Sequence, residues 1–244
     1  MRFMDAISPG RLAEFGVWFV VFLFSSTLHE AAHALLARLG GDDTAYEGGQ
    51  VTLNPMPHIR REPIGMILVP VFTFFYMGWL MGWASTPYDP DWARRRPRRQ
   101  ALMSAAGPGA NLLLAVIAGA ALYLLIGSGV LVAPQSISFT HLAEPAARYG
   151  PDTMLNPVTA VLSVALSLNL LLFVFNLMPI PPLDGSGVLH GLLPGSYGRL
   201  VDAMRGNPMM SVVGLVVAWQ LFPFIIKPVF AMVRELLYPG MYGP

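Results

Sequence analysis

The chain contains no cysteine and very little charge. The first absence excludes disulfides, a thiolate metal site and a cysteine nucleophile, so any metal site must use histidine and carboxylate. The second reaches further. Only 12% of the 244 residues are charged and 55% are hydrophobic, where a soluble domain carries about 25% charged residues. The composition excludes a soluble globular protein and predicts an all-α polytopic membrane protein embedded in a lipid bilayer. A net charge of +1 gives no basis for a nucleic-acid partner, and none is expected. Every polar stretch is too short for an independent core of about 50 residues. No internal repeat is visible, so residues 1–244 read as a single membrane domain. The N-terminal MRFMDAISPGRLAEFG lacks a small-residue cleavage site after its apolar run. It reads as the approach to a retained transmembrane helix rather than as a signal peptide.

What is present is concentrated in a few polar residues set in apolar surroundings. Phe15–Leu39 is an apolar helical stretch, uncharged from Phe15 to Leu28, that carries His29, Glu30 and His33 in the spacing HExxH. One turn of about 3.6 residues sets both imidazoles on one face, where they can reach one metal ion. Glu30 then stands close enough to act on a water at that metal, the helix signature of zinc proteases. Soluble helices contain HExxH by accident. In a bilayer that reading weakens, because a charged group at the centre of a span costs roughly 2.5–3.5 kcal/mol and needs a partner.

After Gly40-Gly41, the stretch Tyr46–Pro57 (YEGGQVTLNPMP) combines glycines, a Val-Thr-Leu run and Asn-Pro. It reads as a short β-hairpin or extended segment against the membrane domain, or equally as a surface loop. Pro63–Trp83 is apolar but interrupted by Gly65, Pro70, Gly78 and Gly82, and the arginines of Arg94–Arg99 follow it. Ala101–Ile126 is a long apolar helix holding Asn111, a polar group at depth best read as helix–helix glue. Residues Gly127–Asp152 form a loop, and Pro157–Met178 another apolar helix. Gly198–Arg205 is polar and interfacial, Pro208–Phe224 is apolar, and Lys227–Leu237 reads as a short amphipathic tail.

The helix Pro157–Met178 ends in NLMPIPPLDG, Asn176–Gly185. Pro179, Pro181 and Pro182 stop it, so Asn176 and Asp184 flank a broken segment. Asp184 is the natural third ligand beside two histidines, since zinc hydrolases keep three protein ligands and one open position. Asp-Gly is also a common turn, and Asn176 could cap a carbonyl.

HEAAH (His29–His33), GPGAN (Gly107–Asn111) and NLMPIPPLDG (Asn176–Gly185), in that order, resemble the site-2 protease family of intramembrane zinc metalloproteases. GGQVTLNPMPHIRREPIG (Gly48–Gly65) is similar to the hairpin region of the compact bacterial branch. The resemblance covers nearly the whole chain and implies a three-helix catalytic core plus accessory helices. By it, His29, His33 and Asp184 hold one Zn2+ per chain, Glu30 is the general base, and Asn176 supports the substrate carbonyl or its oxyanion. It also implies a multi-pass protein of the bacterial inner membrane with its site toward the cytoplasm. The expected partner is a membrane-protein substrate with an unwound transmembrane segment, held by strand addition along Gly48–Asn54. The PDZ and CBS domains of many relatives are missing from this sequence. Two other classes compete: a non-proteolytic scaffold or accessory subunit keeping the fold, and a metal transporter. A scaffold has no need of a complete zinc set. A transporter wants ligands along a path, whereas His58, His141 and His190 fall in loops or at helix ends.

Parity adds a topological expectation. The HExxH helix and the Pro157–Met178 helix must run the same way if their C-terminal ends are to share a metal. Both Pro63–Trp83 and Ala101–Ile126 lie between them, so one cannot be a simple crossing. Pro63–Trp83 is expected to turn back. That would leave Arg60-Arg61 and Arg94–Arg99 on one side, where positive-inside bias wants them. The alternative is a straight helix at Pro63–Trp83, with the parity repaired by a fold elsewhere, as in Gly127–Asp152.

Overall fold

The computed structural model describes residues 8–193 and 195–242; Met1–Ile7, the first part of the N-terminal approach, lie outside the described residues. The chain is helical nearly throughout. Among the described residues, four helices are long and apolar enough to cross a membrane: α1 (Pro9–Leu39), α6 (Pro97–Gly127), α7 (Leu155–Asn176) and α10 (Pro208–Leu237). Between them stand α2 (Thr44–Glu47), α3 (Pro55–Arg61), α4 (Val69–Met77), α5 (Pro90–Arg95), α8 (Asp184–Leu192) and α9 (Ser196–Arg205). This is the all-α membrane architecture that the shortage of charge predicts. By internal contacts the chain divides into two compact units, one ending at Ala110 and one running from Asn111 onward.

The first unit is built around α1. Its start is fixed by Ser8, whose hydroxyl accepts from the Arg11 N–H at 3.3 Å, with Pro9 at the first helical position. At its other end, the Gly40 carbonyl accepts from the Trp92 indole at 2.9 Å and from Arg96 and Arg99 at 3.0 and 2.9 Å. Cationic donors belong at a helix C-terminus, where carbonyls lack intrahelical partners.

The stretch Pro63–Trp83 does turn back. A π-helical turn, Ile64–Leu68, precedes α4; Pro70 brings no N–H, and the ladder widens just before it. The helix stops at left-handed Gly78 (φ 83°), and the chain returns without regular structure. On the way back the Met81 N–H donates to Thr73 Oγ1 at 2.9 Å, and the Trp83 N–H to the Gly65 carbonyl at 3.1 Å. Beyond it, Ser85 donates to Glu62 at 2.5 Å and accepts from Arg61 at 3.3 Å. The segment therefore begins and ends at one level, and its far end is tied to the start of α1. There the Arg11 guanidinium donates to the Phe74 carbonyl at 3.2 Å and lies 4.5 Å from the Phe74 ring centre.

Tyr46–Pro57 corrects the expectation of a hairpin. Its ends belong to α2 and α3, and its middle is a turn, with no strand pairing. Asn54 caps α3 by accepting from the Met56 N–H at 3.0 Å, and Pro55 takes the first helical position. Asn-Pro here starts a helix instead of closing a hairpin. The one pair of strands among the described residues lies elsewhere, β1 (Leu131–Val132) antiparallel to β2 (Glu144–Pro145).

That small sheet belongs to the second unit and lies over its core. Leu131 and Leu142 are buried with Ala115, Ala118 and Leu122 of α6, Leu166 and Leu170 of α7, and Leu237 at the end of α10. Asn111 and Asn169, both essentially without exposure, join α6 to α7: the Asn111 amide donates to Asn169 Oδ1 at 2.9 Å, and Asn169 donates onward to the Ala165 carbonyl. The reading of Asn111 as helix–helix glue holds. The expected division between Pro208–Phe224 and a separate tail does not. α10 is continuous through Pro223 and Pro228, because a helix in an apolar setting keeps the rest of its ladder when water offers no substitute.

Candidate active site

His29, Glu30 and His33 lie about two-thirds of the way along α1, and each is less than a tenth exposed. The i, i+4 spacing does what the sequence predicts: the two Nε2 atoms come within 3.0 Å of each other. His33 is oriented from behind by its Nδ1–H, which donates to the Met103 carbonyl of α6 at 2.7 Å. A carbonyl only accepts, so that bond fixes the proton on Nδ1 and leaves the Nε2 lone pair pointing at His29. Two nitrogen lone pairs converging at this distance repel unless a proton or a cation lies between them.

Gly107 shows that space in front of them is kept open. A Cβ at this position would lie 2.3 Å from His33 Nε2 and 2.5 Å from His29 Nε2. Any side chain there would occupy the region both nitrogens face. This gives the GPGAN motif its physical reason. The donor set also fits the metal: two converging imidazoles in a chain without thiols suit zinc. Glu30, between the histidines in sequence, accepts a hydrogen bond from the Thr86 hydroxyl at 2.7 Å on Oε2.

Asn176 and Asp184 lie in the second unit, at the two ends of the break that the prolines predict. Asn176 is the last residue of α7, and Asp184 the first of α8. The loop between them is tightly folded. The Ile180 N–H donates to the Met178 carbonyl at 2.8 Å, the Leu183 N–H to Ile180 at 2.9 Å, and the Ser186 hydroxyl to Leu183 at 2.7 Å. Gly185 lets the start of α8 close on the end of α7. A Cβ there would lie 2.1 Å from the Leu177 carbonyl oxygen, a backbone atom with no freedom to yield. Tyr197 adds a bond from α9 to the Pro179 carbonyl at 2.9 Å. Asp184 is half-buried.

The family model for peptidase family M50 matches residues 17–221, which takes in every residue of this description. The chain belongs to that family. Among curated proteins, this M50 peptidase is 36% identical over 186 residues to the "Putative zinc metalloprotease YwhC" of Bacillus subtilis, covering 75% of this chain and 73% of that protein. It is 29% identical over 216 residues to a protein of the same description, Rip2 of Mycolicibacterium smegmatis, covering 87% and 71%. Rip2 of Mycobacterium tuberculosis is 30% identical over 209 residues, covering 82% and 67%. No solved structure matches the chain. The M50 peptidase is a zinc metalloprotease of the membrane, with Zn2+ as its cofactor.

Sequence reasoning missed two contributors to this site. Thr86 lies in an aperiodic stretch whose only signals are prolines, and nothing in that pattern marks a hydroxyl. Met103 contributes a carbonyl, which no side-chain pattern reveals.

Proposed function

We propose that this M50 peptidase hydrolyses peptide bonds in or near the transmembrane segments of membrane proteins, at a site facing the cytoplasm in the bacterial inner membrane. The observation that carries the reading is the burial of His29, Glu30 and His33 within α1, a helix of membrane-crossing length. A base placed there serves a substrate that is itself in the membrane. The same-side return of Pro63–Trp83 supports the orientation, because it leaves Arg60-Arg61 and Arg94–Arg99 at one end of the first unit, and arginine favours the cytoplasmic face.

His29, His33 and Asp184 are the residues we assign to zinc. When bound, the metal supplies Lewis acidity, making water acidic near neutral pH and polarising a carbonyl oxygen. The protein's own groups do the rest. Met103 keeps the His33 proton on Nδ1, so that Nε2 serves as a ligand. Gly107 keeps the space before both imidazoles clear. Glu30 takes a proton from the attacking water and returns it to the leaving amine. The Asn176 amide donates to the oxyanion that develops on the scissile carbonyl. A transmembrane helix hides its carbonyls in hydrogen bonds, so the substrate must be locally unwound before cleavage. Gly48–Asn54 makes no strand pairing of its own among the described residues.

The test is comparative membrane proteomics of wild-type cells and cells carrying Glu30→Gln. An uncut membrane protein should accumulate in the variant, while purified Glu30→Gln keeps its zinc. Identical membrane proteomes, or a purified variant that still cuts, would overturn the assignment.

A further inference from the structure

We propose that Thr86 is the positioning residue for Glu30, and that its hydroxyl divides the work of the two carboxylate oxygens; this rests on Glu30 being the base. The Thr86 hydroxyl carries one proton and has two acceptors within reach, Glu30 Oε2 at 2.7 Å and the Glu30 backbone carbonyl at 3.0 Å. The shorter bond runs to the charged group, which is the stronger acceptor. Oε2 is thereby occupied, and Oε1 is the oxygen left to receive a proton from water.

Thr86 can hold a carboxylate because the residues flanking it are held on both sides. Before it, Ser85 donates to Glu62 at 2.5 Å; after it, the Asp89 N–H donates to Asp42 Oδ2 at 2.9 Å. Asp42 is buried and is itself fixed by the Thr44 hydroxyl and N–H at 2.6 and 3.0 Å. The returning limb of the re-entrant segment thus ends in a strap, anchored at Glu62 and Asp42, with one hydroxyl aimed at Glu30. A pre-set carboxylate loses no rotamer freedom when it acts, and a misplacement of about 1 Å is enough to cost a hundredfold in rate. No other side-chain partner of the Glu30 carboxylate is seen among the described residues.

Thr86→Val keeps the shape and removes the proton; Thr86→Ser keeps the proton. With a detergent-solubilised full chain and a fluorogenic peptide substrate, Thr86→Val should lower kcat about ten- to hundredfold with KM within about twofold, as for a lost bond to a charged group. Thr86→Ser should recover most of that loss. Zinc content by mass spectrometry should stay at the wild-type value in both variants. The infrared carboxylate bands that vanish in Glu30→Gln should shift in Thr86→Val and not in Thr86→Ser. Wild-type kcat in Thr86→Val, a Thr86→Ser variant as impaired as Thr86→Val, or zinc loss in Thr86→Val would each overturn the proposal. A failure of the reading beneath it is separate, since that would show as activity in Glu30→Gln itself.

Discussion

The two stretches to which we assign the zinc are built in opposite ways. His29 and His33 are set by helix periodicity: four residues of regular backbone bring their Nε2 atoms to 3.0 Å, and one carbonyl behind His33 fixes its tautomer. Asp184 is set by the interruption of a helix, in a proline-rich loop held by short backbone bonds and by the approach that Gly185 allows. A ligand on a regular helix is robust to its neighbours and sensitive to what faces it. A ligand on a folded loop should be sensitive to every contact that folds the loop.

That contrast is broken most strongly at Gly107. Gly107→Ala leaves the α1 backbone untouched but puts a methyl where both imidazoles point, so bound zinc should fall at least about tenfold while the protein stays folded. Metal analysis of the purified variant checks this; wild-type zinc content would mean the space is not the metal's. A smaller effect is expected at Gly185. Gly185→Ala forces the loop open against the Leu177 carbonyl, and the variant should lose about 1–3 kcal/mol of stability, seen as a lower unfolding temperature, together with weakened zinc binding. If zinc binding is unchanged while stability drops, the loop does not position Asp184.

The smallest effect lies away from both stretches, at Tyr238, just beyond α10. Its hydroxyl donates to the Leu142 carbonyl at 2.9 Å, and burial, with Tyr242 and Glu144 nearby, pushes its pKa above the ordinary 10. A phenol that resists ionisation when folded binds more protons than when unfolded. Its contribution to stability is therefore full below pH 10 and declines as pH rises beyond that. Melting temperatures between pH 9 and 11 should fall less steeply in Tyr238→Phe than in the wild type; equal slopes would deny Tyr238 that part.

How much of this was legible follows the same division. The HExxH helix and the four spans could be read because periodicity and apolar length are written in residue types. The turn-back of Pro63–Trp83 could be read because parity and arginine placement constrain it from outside. Tyr46–Pro57 was misread because Gly-rich and Asn-Pro signals serve hairpins and helix starts alike, and only the bond from Met56 to Asn54 decides between them. Thr86 stayed hidden because its partner, Glu30, is 56 residues away. The continuity of α10 stayed hidden because proline ends helices in water more reliably than in an apolar setting.

The central claim is that a regular helix and an interrupted one supply the same zinc. X-ray absorption at the zinc edge, with metal quantification, tests it on the purified wild type and on Asp184→Ala. The account predicts one zinc per wild-type chain, with two imidazole nitrogens near 2.0–2.1 Å and a carboxylate oxygen near 2.0–2.2 Å. Asp184→Ala should lose most of its zinc or show a first shell without that oxygen. Full zinc occupancy with an unchanged first shell in Asp184→Ala would contradict it.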